Sequence, residues 1–147
     1  MKKIFKFVIL ALAMSLAFTG CASKKAKDSK GPKTYRVDLG SAVSTIALSP
    51  EEQLINVSAL LPEGAAPVVG DKVRVMWSAE SDADIGTIYI SCADNSDDMI
   101  FAENIEAGYP FYAAVNIPID LDVAGPLYVK IWSDSEALCK VCYSDAK

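Results

Sequence analysis

The chain has 147 residues, and a basic start precedes an acidic remainder: 8 of its 14 basic residues lie before Thr34, whereas 18 acidic and 6 basic residues follow. This acidic body repels nucleic-acid phosphates, so nucleic acid is not expected as a partner. The chain has no histidine, which excludes Ser-His-Asp and Cys-His catalytic units and His-ligated zinc, and no enzyme activity is expected.

Residues 1–20 have the pattern of a secretory signal segment. Lys2, Lys3 and Lys6 precede Phe7–Phe18, a run of twelve residues without charge. Because helical residues rise about 1.5 Å each, this run spans roughly 18 Å, less than the ~30 Å hydrocarbon core of a bilayer. The pattern therefore predicts export and disfavours a membrane-spanning helix.

The residues Phe18-Thr19-Gly20-Cys21 resemble the lipobox of bacterial lipoproteins, in which an aliphatic residue and two small residues precede a cysteine. In that family the cysteine is lipidated and becomes the mature N-terminus. The resemblance implies lipidation of Cys21, with the lipid bilayer as partner. One acyl chain binds a membrane only marginally, whereas the two or three chains of such lipoproteins anchor stably. Because the residues directly after Cys21, Ala22 and Ser23, include no aspartate, the resemblance to enteric-type lipoproteins implies the cell envelope and sorting to the outer membrane.

Residues 21–33 are expected to form a flexible tether. The part Lys24–Lys33 contains five lysines, one aspartate and Gly31-Pro32, with Ala26 as its apolar residue. A segment of this composition buries too little apolar surface to fold. The expected organisation is a signal peptide (1–20), a lipidated tether (21–33) and a folded domain (34–147).

From Thr34 onward, short runs of alternating apolar and polar residues are separated by turn residues, which is typical of β-strands. Ser49–Glu52 begins with a serine followed by proline, which predicts a single helical turn. No crossover helix is predicted, so we expect an all-β, antiparallel β-sandwich of jelly-roll-like topology, with an immunoglobulin-like sandwich as the alternative. The stronger strand candidates are Tyr35–Leu39, Gln53–Leu60, Lys72–Ala79, Gly86–Ala93, Phe111–Ile119, Leu127–Ser133 and Ala137–Tyr143, and the weaker ones are Ser44–Leu48 and Met99–Ala102.

Alternation along the predicted strands places several aromatic and polar side chains on the outside. Sugars lay their apolar faces on aromatic rings while polar side chains bind their hydroxyl groups, so a glycan is one expected ligand. Aromatic residues are also favoured on strands for structural reasons, and both interpretations stay open. The candidate ligand-binding residues are Tyr112, Asn116, Tyr128, Lys130 and Trp132.

Two runs resemble jelly-roll domains of the carbohydrate-binding-module type: Gly70–Trp77, read GDKVRVMW, and Ser81–Ile90, read SDADIGTIYI. Ala102–Phe111, read AENIEAGYPF, continues the likeness, which covers Gly70 to Ser133. The resemblance implies a jelly-roll fold, and structural calcium is common in such relatives.

An acidic loop and three cysteines complete the candidate sites. The loop residues Asp94, Asp97 and Asp98 are candidates for calcium, although the loop lacks the register of a calcium hand and a solvated acidic turn is the alternative. No other cofactor is expected. Cys92 and Cys139 lie on inward rows of an exported domain, where disulfides persist, so we predict that they pair. Cys142 would stay unpaired, and its CxxC spacing with Cys139 falls on a strand, unlike a redox motif.

The expected function is that of a membrane-anchored envelope lipoprotein whose β-sandwich is a binding module for glycan. The alternative is a structural or interaction lipoprotein that docks on another envelope protein and has no small ligand. An aromatic groove with acidic residues would favour the first function, whereas an exposed apolar face would favour the second.

Overall fold

The computed structural model describes residues 31–93, 97–120 and 125–142. The chain divides into two units, Met1–Gly31 and Pro32–Lys147, and the second unit holds the described strands. The predicted signal peptide, Cys21 and the tether residues before Gly31 lie outside the described residues, as do Asp94 and Tyr143. Within the described ranges, no helix is long and apolar enough to cross a membrane.

The described part of the second unit contains nine strands, and each predicted strand corresponds to one of them. Two short helical turns, α1 (Leu39–Ala42) and the 3-10 turn Ser58–Leu60, lie between strands. The strands are β1 (Thr34–Asp38), β2 (Thr45–Leu48), β3 (Gln53–Asn56), β4 (Lys72–Ser81), β5 (Ile85–Cys92), β6 (Met99–Ile105), β7 (Pro110–Pro118), β8 (Tyr128–Ser133) and β9 (Ala137–Val141).

The strands form two sheets, which confirms the predicted all-β sandwich. In sheet A, β4 pairs with β7 along one side and with β1 and β9 along the other, and β2 pairs with β9. Sheet B has the order β3-β8-β5-β6. The β1–β4 pair is parallel, whereas an antiparallel sandwich was predicted. No crossover helix is needed because the chain between β1 and β4 passes through β2 and β3, one strand in each sheet.

The two ends of the sandwich carry different parts of the chain. We call the end where Lys33 leads into β1 the entry end, since Thr34 is the register partner of Lys72 there. The distal end contains the turn between β4 and β5, residues 82–84. Because β4 has 10 residues and a strand rises about 3.3 Å per residue, the ends lie roughly 33 Å apart.

A single hydrophobic core fills the space between the sheets, and Trp77 is among its largest side chains. Its ring stacks on Phe101 with centroids 6.3 Å apart and meets the edge of Phe111 at 5.3 Å. Phe101 is the extra residue of a β-bulge, since Ile88 pairs with Ala102 and Tyr89 with Ile100. The bulge directs the ring of Phe101 inward onto Trp77.

Two local predictions between β2 and β4 were wrong. The predicted strand Gln53–Leu60 ends at Asn56, because the side-chain oxygen of Asn56 accepts the Ser58 N–H at 3.0 Å and starts a turn. The predicted helical turn Ser49–Glu52 is a bend: Ser49 Oγ does accept the Glu51 N–H, but β3 begins at Gln53 and pairs at once with β8.

Candidate ligand-binding cleft

The structure separates the five predicted ligand-binding residues into two groups on opposite outer faces. Tyr112 and Asn116 lie on β7 in sheet A, whereas Tyr128, Lys130 and Trp132 lie on β8 in sheet B. No single ligand surface therefore contains all five.

The β8 residues are largely engaged with their neighbours. Trp132 stacks on Tyr89, its cross-strand partner, with ring centroids 5.5 Å apart and planes 15° apart. The Lys130 Nζ atom lies 5.8 Å from the centroid of the Trp132 ring and 3.6 Å from Glu52 Oε1. Because a sugar needs an open ring face, the stack with Tyr89 favours the structural interpretation of Trp132.

Tyr112 lies instead in a cleft of about 400 Å³ at the distal half of the sandwich. The end of β6, the turn that follows and the start of β7 form this β6–β7 cleft. Its volume falls in the ordinary range of about 300–1,000 Å³ for ligand sites. The lining residues are Ala102, Glu103, Asn104, Ile105, Glu106, Tyr109, Pro110, Phe111 and Tyr112.

The turn that forms one wall of the cleft is held by one hydrogen bond within it and by two hydrogen bonds from the β4–β5 region. The Tyr109 N–H donates to the Glu106 carbonyl at 3.3 Å, and Gly108 takes the positive φ of 76° that the turn requires. The Gly108 N–H donates to the Ser81 carbonyl, and the Ala107 N–H donates to Asp84 Oδ1, both at 2.8 Å. The cleft is therefore preformed, with its shape fixed by the β4–β5 turn.

The β6–β7 cleft combines open aromatic rings with unengaged polar groups. Tyr109 and Tyr112 are 67% and 66% exposed, the largest exposures among the large hydrophobic side chains of the described residues. No hydrogen bond or ion pair within the described residues engages the side chains of Glu103, Asn104 or Glu106. Asn104 also has a left-handed φ of 54°, a strained conformation that is concentrated at functional sites.

Two larger cavities, each of about 530 Å³, are chemically poorer. The first, near the entry end, has small apolar walls, and its two side-chain oxygens are used: Asn56 Oδ1 accepts the Ser58 N–H, and Ser58 Oγ accepts the Leu127 N–H. The second lies at the distal end and contains Asp82, whose carboxylate accepts the Leu138 N–H at 2.7 Å. Neither cavity is lined by an aromatic residue.

Acidic residues of the distal turns stabilise the backbone. Asp82 and Asp84 accept backbone N–H groups as described above, and the Thr87 N–H donates to the Asp134 carboxylate and lowers its pKa. A Cβ atom at Gly86 would collide with this carboxylate, so glycine leaves the space that Asp134 needs. These carboxylates therefore have structural partners.

The predicted calcium residues do not form a recognisable site within the described part of the chain. Asp94 lies outside it, and Asp97 and Asp98 immediately precede β6. Among the described residues, no group of three or more Cys, Asp or Glu side chains is placed to hold a metal ion.

The predicted Cys92–Cys139 disulfide is absent, because Cys139 is a free thiol. Cys139 is the register partner of Ser81 at the distal end. Cys92 lies seven residues along β5 from Ile85, which itself follows the distal turn, so the strand carries it roughly 23 Å away. A disulfide needs Cα atoms about 4.4–6.8 Å apart. Burial raises the pKa of the Cys139 thiol to about 11, whereas Cys142 is exposed.

Comparison with protein-family models, with curated proteins and with solved structures finds no match. The candidate site is therefore identified from the geometry of this chain alone. Sequence reasoning placed Tyr112 on an outer face but missed Tyr109, Glu103 and Glu106. The signal was present in AENIEAGYPFY, Ala102 to Tyr112, where a glycine turn separates two acids from two tyrosines, but alternation is uninformative inside a turn.

Proposed function

We propose that this protein is a lipid-anchored envelope lipoprotein whose β-sandwich binds a glycan, without catalysis, in the β6–β7 cleft. The observation that carries the proposal is the pairing of two open tyrosine rings with the side chains of Glu103, Asn104 and Glu106 in one preformed cleft. The tyrosine rings provide apolar faces for the C–H surfaces of a sugar. The carboxylates accept hydrogen bonds from its hydroxyl groups, and the Asn104 amide can both accept and donate them.

Glycan binding is tested by array screening of the purified full chain, followed by calorimetric titration of the best ligand. We expect Tyr112→Ala and Tyr109→Ala each to weaken binding by about fivefold, since one ring contributes on the order of 1 kcal/mol. Tyr112→Phe should retain most of the affinity, because the ring face remains. Trp132→Ala is the matched control on the other sheet and should leave affinity unchanged.

Two results would overturn the proposal that the β6–β7 cleft binds a glycan. The first is that no glycan binds. The second is that Trp132→Ala abolishes binding while Tyr109→Ala and Tyr112→Ala do not, which would transfer the site to sheet B.

The membrane anchor is supported by the lipobox likeness at Cys21 and by the short uncharged run before it. Metabolic labelling with an alkyne fatty acid in a bacterial host is expected to label the protein, and Cys21→Ser should abolish both labelling and membrane recovery. Cys142→Ser is the control, since Cys142 is exposed but lies in the folded domain. Equal labelling of the wild-type and Cys21→Ser proteins would refute the anchor, as would no labelling of either. Sorting to the outer membrane is tested by fractionating the same cells.

A second candidate function, docking on another envelope protein, is favoured by the outer face of sheet B. Leu54 and Ile100 are 62% and 56% exposed there; Ile100 pairs with Tyr89 of the stacked Tyr89–Trp132 pair, and Leu54 pairs with Lys130, two residues before Trp132. Exposed apolar groups gathered on one face are typical of protein interfaces. Crosslinking in cells distinguishes the two functions: a protein partner captured from position 54, and not from position 109 in the cleft turn, would favour docking.

A further inference from the structure

We propose that the entry end docks on an anionic bilayer surface through the turn Val68–Asp71, with Val69 at its apex; this rests on the lipid anchor proposed above. The turn is apolar where it is most exposed, since Val68 and Val69 are 59% and 50% exposed. Loops usually carry polar residues at such positions, so two adjacent exposed valines call for a covering surface.

The turn is fixed in place before any contact. The Asp71 N–H donates to the Val68 carbonyl at 2.9 Å, and Gly70 has the positive φ of 95° expected at the third position of a type II turn. The nearly buried Asp71 carboxylate accepts the Lys33 N–H at 2.9 Å and the Val68 N–H at 3.1 Å. The Gly70 N–H donates to the Ile119 carbonyl at 2.9 Å. The valines are therefore presented rigidly, so docking loses little conformational entropy.

Basic side chains surround this turn on the side of sheet A. Lys33 and Lys72 are exposed, and the Lys72 N–H donates to the Lys33 carbonyl at 2.8 Å. Arg36 and Arg74 are register partners on β1 and β4, two residues further along the same outer face. Two acids lie close to the turn: Asp71 turns its carboxylate onto backbone N–H groups, and Asp120 follows Ile119, whose carbonyl accepts the Gly70 N–H on the β7 side. The basic residues lie on the opposite, β1 side, and Asp97 and Asp98 precede β6 in sheet B. The turn therefore has basic neighbours of the kind that anionic headgroups attract.

The position of the turn suits a membrane contact. Lys33 is the last residue of the lysine-rich tether, and its own N–H is bound by Asp71 beside the turn. Thirteen residues span at most about 45 Å even when fully extended, so a lipid on Cys21 would limit how far this end lies from the headgroups. Docking through Val69 would also direct the distal end, with the β6–β7 cleft, away from the bilayer.

The test uses the full chain reconstituted in vesicles that contain brominated phosphatidylcholine, with or without phosphatidylglycerol. Val69→Trp introduces an indole that bromine atoms quench on contact. Tyr109→Trp is the matched control, because Tyr109 is similarly exposed at the opposite end. Trp77 and Trp132 contribute the same background to both variants. With phosphatidylglycerol present, we expect the emission from position 69 to fall by roughly half and that from position 109 to be unaffected.

The electrostatic part is tested by adding Lys72→Gln to the Val69→Trp chain. Removing one basic charge should weaken docking by about fivefold in phosphatidylglycerol vesicles, as expected from ~1 kcal/mol per basic residue near the surface, and should have no effect without that lipid. Equal quenching at positions 69 and 109 overturns the proposal. A blue shift at position 69 that appears only as protein concentration rises also overturns it, in favour of a second copy of the chain.

The comparison of the two positions is made within the same vesicles, so it is independent of the acyl labelling of Cys21. If the protein is not acyl-labelled but quenching is confined to position 69, the anchor is refuted and the docking surface is retained. Labelling without quenching would refute docking and retain the anchor.

Discussion

The exposed Cys142 should react at least tenfold faster than the two buried cysteines of the folded domain, Cys92 and Cys139. Burial raises the pKa of Cys139 from 9.0 to about 11. Only the thiolate reacts with a disulfide reagent, and at pH 8 its fraction falls from about 10% at the ordinary pKa to about 0.1% at the raised one. A thiolate of higher pKa is more nucleophilic, which offsets part of this difference, so the raised pKa alone should make Cys139 react about tenfold more slowly than Cys142, and its lack of exposure slows it further. Cys92 is also buried and should be similarly protected.

The assay is thiol titration of the Cys21→Ser chain with a chromogenic disulfide reagent at pH 8. In the native state we expect one rapidly reacting thiol, which Cys142→Ser removes. In denaturant without reductant all three thiols should react, because the two buried ones become accessible. Repeating the native reaction at pH 9 should accelerate the slow phase, since the thiolate fraction of Cys139 rises tenfold per pH unit below its pKa.

The prediction is contradicted if one thiol of the denatured chain reacts without reductant and three react with it. That count would establish a disulfide between two of the three cysteines. A Cys92–Cys139 pair would contradict the strand register, which places these two residues far apart along the sandwich, and any pair would contradict the free thiols of the structure. A native state in which all three thiols react at one rate would instead refute the burial of Cys139.

Two further predictions concern stability. The Lys33 and Val68 N–H groups lower the pKa of Asp71, so its carboxylate stabilises the fold above the ordinary pKa of about 4, and this contribution is lost as pH falls through the lowered value. Asp71→Asn should lower the urea midpoint at pH 7 and reduce its fall between pH 5 and pH 2; an unchanged acid profile would contradict this role. Ser58→Ala leaves the Leu127 N–H without its acceptor and should destabilise the domain by about 1–3 kcal/mol in urea unfolding. Ser135→Ala, whose hydroxyl contacts the exposed Asp134, is the control and should change stability by less than about 0.5 kcal/mol.

The sequence was sufficient to predict the strands and their faces because side chains alternate with a fixed period of two along any strand. Val73, Val75 and Trp77 point into the core as that period requires. The same reasoning predicted the inward position of Cys139. It failed for the disulfide because alternation reports which face a residue occupies and not which end of the sandwich it lies at.

The cleft was beyond the reach of periodicity for a related reason. Its residues come from the end of one strand, a turn and the start of the next, and two of the features that shape it break the regular pattern. Phe101 occupies a bulge, and Asn104 adopts a left-handed conformation. Both depend on long-range pairing with β5. Likewise, Tyr112 was predicted to point outward, but its proximity to Tyr109 and Glu106 depends on how the β4–β5 turn holds the β6–β7 turn.

The separation of the two proposed contacts has a physical consequence for how the protein would act. Pro110, at the start of the cleft strand, is the register partner of Glu80, whereas the Val68–Asp71 turn precedes Lys72. Eight residues of β4 lie between these positions, which sets the cleft roughly 26 Å above a bilayer that contacts the turn. A tether alone would let the domain tumble and present the cleft in every direction. If Cys21 is lipidated as proposed, the anchor would hold the entry end near the surface at a high effective concentration, and even weak insertion of Val69 would then fix the orientation. In the proposed arrangement the exposed valines would orient the cleft and would not need to contribute the main membrane affinity.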